Sequence, residues 1–292
     1  MDSNWKHTFR HWWDMLVEFF SITEKRHIFL LAAGIAFNQL LCMIPMILLA
    51  IAVASNLLDA ESTKAVVTEV LQQLLPENTK AAEATTVVVH ELGVVFNYSN
   101  IAGWIAGFAL IWLASALFGS MRTGLNAIFH APTPRFFIVY KIKDLLLTLV
   151  VTVLVIATTI VLPLLSLLEH WWFEVLTAYN WLWLHAISMR VISMAVTSVL
   201  FLVLYKAVPN ARLPWRVVLF STGFAVVLWE IARVVFTWYV NSATTLSKFY
   251  GGFLAIASLA LWFYYSSLIF LVSAELAQYI HTRLTLNKAP DV

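Results

Sequence analysis

The stretch VVLFSTGFAVVLWEIARVVFTWYVNSATTLS, residues 217–247, places two charged residues in a run that otherwise carries no charge. Read as one helix, it is long enough to cross the hydrocarbon core of a bilayer, which needs about 20 residues. An ionisable residue at that depth is costly, so it is normally paired, faces the interior of a helix bundle and is a candidate for function. Glu230 and Arg233 are three residues apart and therefore share one face of this helix.

Small and polar residues of the same stretch form a single stripe. At about 100° per residue, an arc of about 80° contains Gly223, Glu230, Arg233, Thr237 and Asn241. The remaining surface of the helix is aliphatic or aromatic. The stripe therefore predicts interaction partners elsewhere in the chain.

The composition of the chain is that of an integral membrane protein. Hydrophobic residues make up 61% of its 292 residues and charged residues only 12%, whereas a soluble domain is about a quarter charged. The single cysteine, Cys42, lies in an apolar run, which excludes a disulfide within the chain and a cysteine-based zinc site. Residues 1–27 lack the short apolar core and small-residue cleavage site of a signal peptide.

Apolar runs predict an all-α, polytopic membrane protein with six transmembrane helices. These spans begin near residues 28, 94, 145, 182, 217 and 249. The second is expected to end at Met121, the third at Leu168, the fourth at Tyr205 and the sixth at Ala274. The pattern Gly103-Trp104-Ile105-Ala106-Gly107 in the second span allows close helix approach, either inside one subunit or between the copies of a homo-oligomer.

Two further segments are predicted outside the spans. Residues 5–20 read as an N-terminal interfacial helix, with an apolar side made of Phe9, Trp12, Trp13, Leu16 and Phe20. Residues 59–93 are rich in acidic side chains and predict an external helical hairpin. We therefore expect an N-terminal segment at 1–27, a six-helix domain at 28–280 and a tail at 281–292.

Lysine and arginine are divided unequally between the two sides of these spans. Of the 18 lysines and arginines, most lie in the N-terminal segment, the second and fourth loops and the tail, while the other side has only Lys64, Lys80 and Lys248. Segments rich in Lys and Arg stay in the cytoplasm, so both termini are expected there. Arg122 is assigned to the basic second loop. Glu275 is assigned to the cytoplasmic interface, as a helix-end carboxylate with no special role.

The predicted depths bring three charged residues to one level. A rise of about 1.5 Å per residue puts Arg190 of the fourth span beside Glu230 and Arg233, slightly outside the midplane. The surplus positive charge suits an anionic group at the end of a cavity. Alternatively, one ion pair only fixes helix packing while the second arginine reaches outward.

Asn38 adds a polar group to the first span, on a face with small residues and Pro45. It is either a hydrogen-bonded packing residue or part of the site. The candidate substrate-binding residues are Arg190, Glu230, Arg233, Asn38, Thr237 and Asn241.

Several motifs together resemble the YihY/BrkB family of bacterial inner-membrane proteins. They are Gly34-Ile35-Ala36-Phe37 running on to Pro45, Val208-Pro209-Asn210, Trp229-Glu230-Ile231-Ala232-Arg233, Tyr250-Gly251-Gly252, Leu261-Trp262-Phe263-Tyr264 and Ala274-Glu275-Leu276. One departure is Asn38-Gln39, where the family commonly has an aromatic and a small residue. The resemblance covers most of the chain and implies a six-helix inner-membrane protein linked to serum resistance, envelope biogenesis and lipid or lipopolysaccharide export. The family also carries an old label as ribonuclease BN.

Three functions compete. The first is a transporter or flippase for an anionic amphiphile such as a lipid, which a cavity open to lipid or water beside Arg190 favours. The second is a non-transporting scaffold, which a closed and fully paired charge cluster favours. The third is a membrane enzyme, for which the sequence offers no nucleophile with a base, no metal-ligand cluster and no extended basic face for RNA. We therefore expect no enzyme activity, cofactor or nucleic-acid partner, with membrane lipids and an anionic amphiphile as partners.

Overall fold

The computed structural model describes residues 2–57, 99–132, 142–150, 182–242 and 252–286, which are helical apart from short turns and contain no strand. The all-α class is thereby confirmed for this part of the chain. Several predicted features lie outside the described residues, namely the hairpin at 59–93, the third span beyond residue 150, the Tyr250-Gly251 pair and the end of the tail. For Arg190 and Asn241 the structure describes the helical backbone but not the side chain.

Six helices have their bounds within these ranges. They are α1 (Asp2–Lys25), α2 (Ile28–Leu57), α3 (Ser99–Phe129), α4 (Leu182–Ala207), α5 (Trp215–Ser242) and α6 (Gly252–Leu286). Residues 142–150 form a further helical segment. Within the described residues, four stretches are long and apolar enough to cross a membrane, namely Ile28–Leu49, Gly103–Phe129, Trp215–Tyr239 and Ile256–Thr285. Helix α4 contributes the shorter apolar stretch Met194–Ala207.

Large apolar side chains on these helices point away from the protein. In each of the four apolar stretches, no more than 33% of the residues are buried. Trp104 and Phe108 of α3, for example, are 82% and 71% exposed. Soluble proteins rarely expose contiguous apolar patches of this extent. In a bilayer the same side chains contact lipid tails at no cost. The chain is therefore a membrane protein, as its composition predicts.

The end of α3 differs from the prediction. The helix continues to Phe129 rather than ending at Met121, because Met121, Leu125 and Ile128 keep presenting a buried apolar face at helical spacing. The assignment of Arg122 to a loop is therefore wrong. Arg122 lies inside α3 and is 5% exposed.

The end of α6 differs in the same way. The helix runs on to Leu286 instead of ending at Ala274, and Ala274 and Ala277 are both buried. Glu275 is consequently an interior residue of a long helix, and it is 1% exposed. The prediction that Glu275 is a helix-end carboxylate is wrong, and its place at the cytoplasmic interface stays a prediction.

The chain divides into two compact units. Unit 1 contains Met1–Leu31, Met121–Glu230 and Leu268–Val292, and unit 2 contains Ala32–Ser120 and Ile231–Ser267. In unit 1, Tyr205 is fully buried and stacks on Phe270 with ring centroids 5.0 Å apart. The Tyr205 hydroxyl donates a hydrogen bond of 2.8 Å to the Phe270 carbonyl oxygen, so the buried polar tip of this core residue is satisfied.

In unit 2, small residues let helices approach closely. A Cβ added at Gly103 of α3 would lie 3.1 Å from the Cβ of Ala52 of α2, whereas one added at Gly107 would meet nothing within 4 Å. Gly103 therefore serves packing inside the subunit.

Gly124 of α3 is a sharper packing constraint in unit 1, and its replacement should destabilise the protein. A Cβ added there would lie 2.7 Å from Cδ2 of Leu271, which is itself fully buried. We expect Gly124→Ala to lower the free energy of unfolding by up to about 2 kcal/mol, because overpacking a buried side chain costs about 1–3 kcal/mol and the gain in helix propensity returns up to about 1 kcal/mol. Thermal and denaturant unfolding in detergent measure this loss.

Gly107→Ala is the matched control, because the added methyl group meets open space. It should be neutral or stabilising by up to about 1 kcal/mol, the helix propensity difference between the two residues. Leu271→Ala in the Gly124→Ala background should cost less than the sum of the two single changes. Equal stability of Gly124→Ala and Gly107→Ala would contradict the packing argument.

Candidate functional site

The polar stripe of α5 spans both units. Glu230 is half-buried and belongs to unit 1, while Arg233 and Thr237 are exposed and belong to unit 2. Thr237 Oγ1 donates a hydrogen bond of 2.8 Å to the Arg233 carbonyl oxygen, as a helical hydroxyl commonly does one turn back. Asn241 lies in the last turn of α5 and Arg190 lies in α4. The predicted meeting of Arg190, Glu230 and Arg233 stays a prediction.

Asn38 of α2 is used to join helices within unit 2. Its Nδ2 donates hydrogen bonds to the Gly34 carbonyl oxygen at 3.1 Å and to Ser120 Oγ of α3 at 2.7 Å. The neighbouring Gln39 accepts a hydrogen bond of 3.2 Å from Ser267 of α6. Both donors of Asn38 thus find acceptors in the protein.

Arg26, in the turn between α1 and α2, bridges several elements of unit 1. Its Nη1 donates to both carboxylate oxygens of Glu275 in α6, at 3.0 and 2.8 Å, and to the Ile128 carbonyl oxygen of α3 at 2.8 Å. Its Nη2 lies 3.3 Å from Nε2 of His130. The Glu275 side chain is 1% exposed and that of Arg26 is 21% exposed. This ion pair therefore ties the turn to α3 and α6.

A second ion pair of unit 1 is buried on both sides. Arg122 of α3 pairs with Asp144 of the helical segment 142–150, and the two side chains are 7% and 6% exposed. Taking either ion out of water costs several kcal/mol by order of magnitude, and the partner charge compensates for it. The burial of each of these charged side chains therefore depends on the charge of the other.

The loop between α4 and α5 packs against the residues next to this pair. Val208 is fully buried, and the Asn210 backbone N–H donates a hydrogen bond of 2.9 Å to Asn126 Oδ1 of α3. The Lys143 ammonium donates a hydrogen bond of 3.3 Å to the Pro209 carbonyl oxygen. Burial, and secondly the charge of Arg122, lower the pKa of Lys143. The motif Val208-Pro209-Asn210 is thus a rigid corner that docks on α3.

Contacts near the end of α6 fix the orientation of α1 in unit 1. Glu18 of α1 accepts hydrogen bonds from the Tyr279 hydroxyl, at 2.9 Å, and from the Arg283 guanidinium. The Arg283 and Glu18 side chains are 44% and 47% exposed, so their ion pair contributes about 0–1 kcal/mol. With this side of α1 turned to α6, the side chains of Trp13 and Phe20 stay 59% and 60% exposed.

The sequence interpretation missed both buried ion pairs of unit 1. It placed Arg26 in the N-terminal segment and Arg122 and Lys143 in the basic second loop, and it treated Glu275 as unremarkable. One of these misses could have been avoided from the sequence. Apolar residues continue at helical spacing through Leu125 and Ile128, which indicates that the helix extends beyond Arg122. Nothing in the sequence pairs Arg26 with Glu275, which lie 249 residues apart.

Among the described residues, no group of three or more His, Cys, Asp or Glu side chains is arranged to hold a metal ion.

Long apolar helices with outward-facing apolar side chains, and charges paired inside the packed unit, define a polytopic helical membrane protein. The profile described as Virulence factor BrkB matches residues 19–291. The chain therefore belongs to the BrkB family, as its motifs predict.

Several relatives share this similarity. The chain is 28% identical over 297 residues to a UPF0761 membrane protein of Chlorobium limicola, in an alignment covering 99% of this chain and 64% of the relative. It is 26% identical over 207 residues to the ribonuclease-like protein YfkH of Bacillus subtilis, covering 66% of this chain and 70% of that protein. A UPF0761 membrane protein of Chlorobium luteolum is 26% identical over 275 residues, covering 93% of this chain and 62% of the relative. The chain thus spans less than two thirds of the length of both Chlorobium relatives. No solved structure matches the chain.

Proposed function

We propose that this protein is a transporter or flippase of the bacterial inner membrane that moves an anionic amphiphile, such as a lipid, in envelope biogenesis. The supporting observation is Arg233, an exposed charged residue within the apolar stretch Trp215–Tyr239. The helical rise puts it about 9 Å from the Tyr239 end of that stretch. A charged residue within an apolar span is by default a candidate for a functional site. A guanidinium suits the phosphate or carboxylate of an anionic amphiphile, because its planar fork can bind such a group with two hydrogen bonds.

The proposed substrate site combines Arg233 with the other polar residues of the spans. Arg190 receives the anionic group, and Glu230 acts as the local partner of Arg233. Asn38 offers its side-chain oxygen, and the stripe continues through Thr237 and Asn241 of α5.

A non-transporting scaffold is the second candidate function. It is favoured by the two buried ion pairs of unit 1 and by Asn38, whose donors are used inside the bundle. The ribonuclease-like name of the Bacillus subtilis relative is a weaker pointer. The carboxylates of Glu18, Asp144 and Glu275 are each engaged by an arginine, whereas an acid–base catalyst exchanges a proton with its substrate.

The proposed topology has six spans, with both termini in the cytoplasm and residues 59–93 outside. It rests on the excess of Lys and Arg on one side. In this arrangement α1 lies in the membrane interface, and the exposed side chains of Trp13, Val17 and Phe20 enter the headgroup region.

Reporter fusions test this topology. Fusions after Lys143 and after Arg216 should give a cytoplasmic signal, and fusions near Glu83 should give an external one, because basic loops resist translocation. An alkaline phosphatase and fluorescent protein pair reports both sides. A cytoplasmic signal near Glu83 would overturn the six-span arrangement.

Transport is tested by reconstitution into liposomes with a panel of labelled anionic lipids and solutes. If an arginine receives the substrate, replacing Arg190, Glu230 and Arg233 together with apolar residues of similar volume should leave a folded but inactive protein. Arg190→Lys should also reduce transport, because an ammonium lacks the planar fork that binds phosphate or carboxylate with two hydrogen bonds.

The matched control removes a charged pair outside the site. Glu18→Gln combined with Arg283→Met deletes an exposed ion pair and should transport at the wild-type rate. Thermal unfolding of every variant in detergent separates loss of activity from loss of fold. A triple variant that is stable and fully active would contradict the proposed substrate site and favour the scaffold function.

A further inference from the structure

The polar residues beside the α4–α5 loop carry a surplus positive charge. We name the set of Arg122, Asn126, Lys143, Asp144 and Asn210 the Asn210 cluster. Asp144 is its single carboxylate and is paired with Arg122, so the ammonium of Lys143 is left without a countercharge within the cluster. In the described part of the chain, Lys143 makes one hydrogen bond, to the Pro209 carbonyl oxygen at 3.3 Å. An ammonium has further N–H donors to offer.

Asn210 supplies a second, independent sign of a missing partner. Its backbone N–H is bonded to Asn126, but the oxygen and nitrogen of its side chain are buried and find no hydrogen-bond partner among the described residues. Buried amide groups are nearly always hydrogen-bonded, because leaving one unpaired forfeits its interaction with water. An acceptor oxygen beside Nδ2 would satisfy the nitrogen of this amide.

Lys143 and Asn210 are brought together by a contact with the residue next to Asn210. Lys143 contacts the carbonyl oxygen of Pro209, the residue directly before Asn210. Lys143 is half-buried, so one side of it remains accessible. The donors come from different elements, the helical segment 142–150 and the α4–α5 loop, and a group with several anionic oxygens can accept from both.

We propose that Lys143 and Asn210 bind a phosphate group, carried by a lipid headgroup or by a soluble phosphate. This site is separate from the α5 stripe and involves none of its residues, so it stands whether or not the protein transports an amphiphile. Arg122 and Asp144 form its buried floor and are not expected to contact the ligand. A bound phosphate would join the α4–α5 loop to the segment 142–150.

Ligand-induced thermal stabilisation of the full chain in a neutral detergent tests the proposal. The probes are inorganic phosphate, glycerol 3-phosphate and a short-chain phosphatidylglycerol, each compared with sodium chloride at equal ionic strength. Stabilisation by the phospholipid alone would identify a headgroup site. Stabilisation by all three probes would identify a site for any phosphate. Both results support the proposal, because binding to the native state raises its apparent stability.

Variants then assign the effect to residues. Lys143→Met and Asn210→Leu should each weaken probe binding by about tenfold or more, since charge-assisted hydrogen bonds and their buried partners dominate such sites. Lys143→Arg should bind nearly as well as wild type. Lys206→Met is the matched control, because Lys206 is an exposed lysine that bonds the Leu213 carbonyl oxygen of the same loop at 3.2 Å, and it should bind like wild type.

The pH dependence gives a further readout. Because burial lowers the pKa of Lys143, binding should weaken as the pH rises through that lowered value, and Lys143→Arg should not show this loss. The unfolding temperature of each variant is also measured without probe, so that a loss of stability is distinguished from a loss of probe binding. Absence of stabilisation by every probe, or equal binding by wild type and Lys143→Met, would overturn the proposal.

Discussion

Asp144→Asn is expected to lower the free energy of unfolding by about 3–5 kcal/mol, because it leaves the guanidinium of Arg122 buried without a countercharge. Both side chains are more than nine-tenths buried, so water cannot replace the lost carboxylate. The same effect is expected for Asp144→Ala. Chemical unfolding in detergent measures the loss, with thermal unfolding as a second probe.

Two comparisons show whether the buried charge is the cause. Replacing Arg122 with methionine and Asp144 with leucine together should recover most of the stability, because no unpaired charge remains. Glu18→Gln removes a carboxylate from the exposed pair with Arg283 and should cost no more than about 1 kcal/mol. If Asp144→Asn and Glu18→Gln were equally stable, the buried pair would not contribute as described.

Glu275→Gln is expected to cost about 3 kcal/mol and to loosen the turn between α1 and α2. The substitution removes the carboxylate that receives two hydrogen bonds from Arg26, while the contact with the Ile128 carbonyl oxygen remains. Because the Arg26 side chain is 21% exposed, we place the effect at the lower end of the range of about 3–5 kcal/mol for a broken buried pair. Trypsin should then cleave faster after Lys25 and Arg26.

The double variant Arg26→Met with Glu275→Leu separates charge from packing. It should be more stable than Glu275→Gln, since both charges are gone, and trypsin cleavage after Lys25 reports on the turn in both proteins. Glu18→Gln loosens α1 at its other contact with α6 and should leave cleavage at the turn unchanged. Wild-type cleavage rates in Glu275→Gln would show that the ion pair does not hold the turn.

The α5 stripe shows how far the sequence reaches toward a site. Helical spacing alone puts Glu230, Arg233 and Thr237 on one face, and α5 runs from Trp215 to Ser242, close to the stretch expected. Whether Arg190 joins them depends on how α4 packs, which spacing within α5 cannot define. The loop motif Val208-Pro209-Asn210 likewise stood out as a family resemblance, and its docking on Asn126 is a property of the fold.

The sequence by itself determined that this is a helical membrane protein, because the hydrophobicity of consecutive residues is a local property that decides which stretches leave water. Its motifs indicated the BrkB family, to which the profile match assigns it. The tertiary structure alone decided which charges are buried and with what partner. Arg26 and Arg122 look alike in the sequence, as basic residues near the ends of apolar runs. The pairing of Arg26 depends on α6, which brings Glu275 to it from 249 residues away. The burial of Arg122 depends on the segment 142–150, which carries Asp144. A charge is stable away from water only where such a partner reaches it.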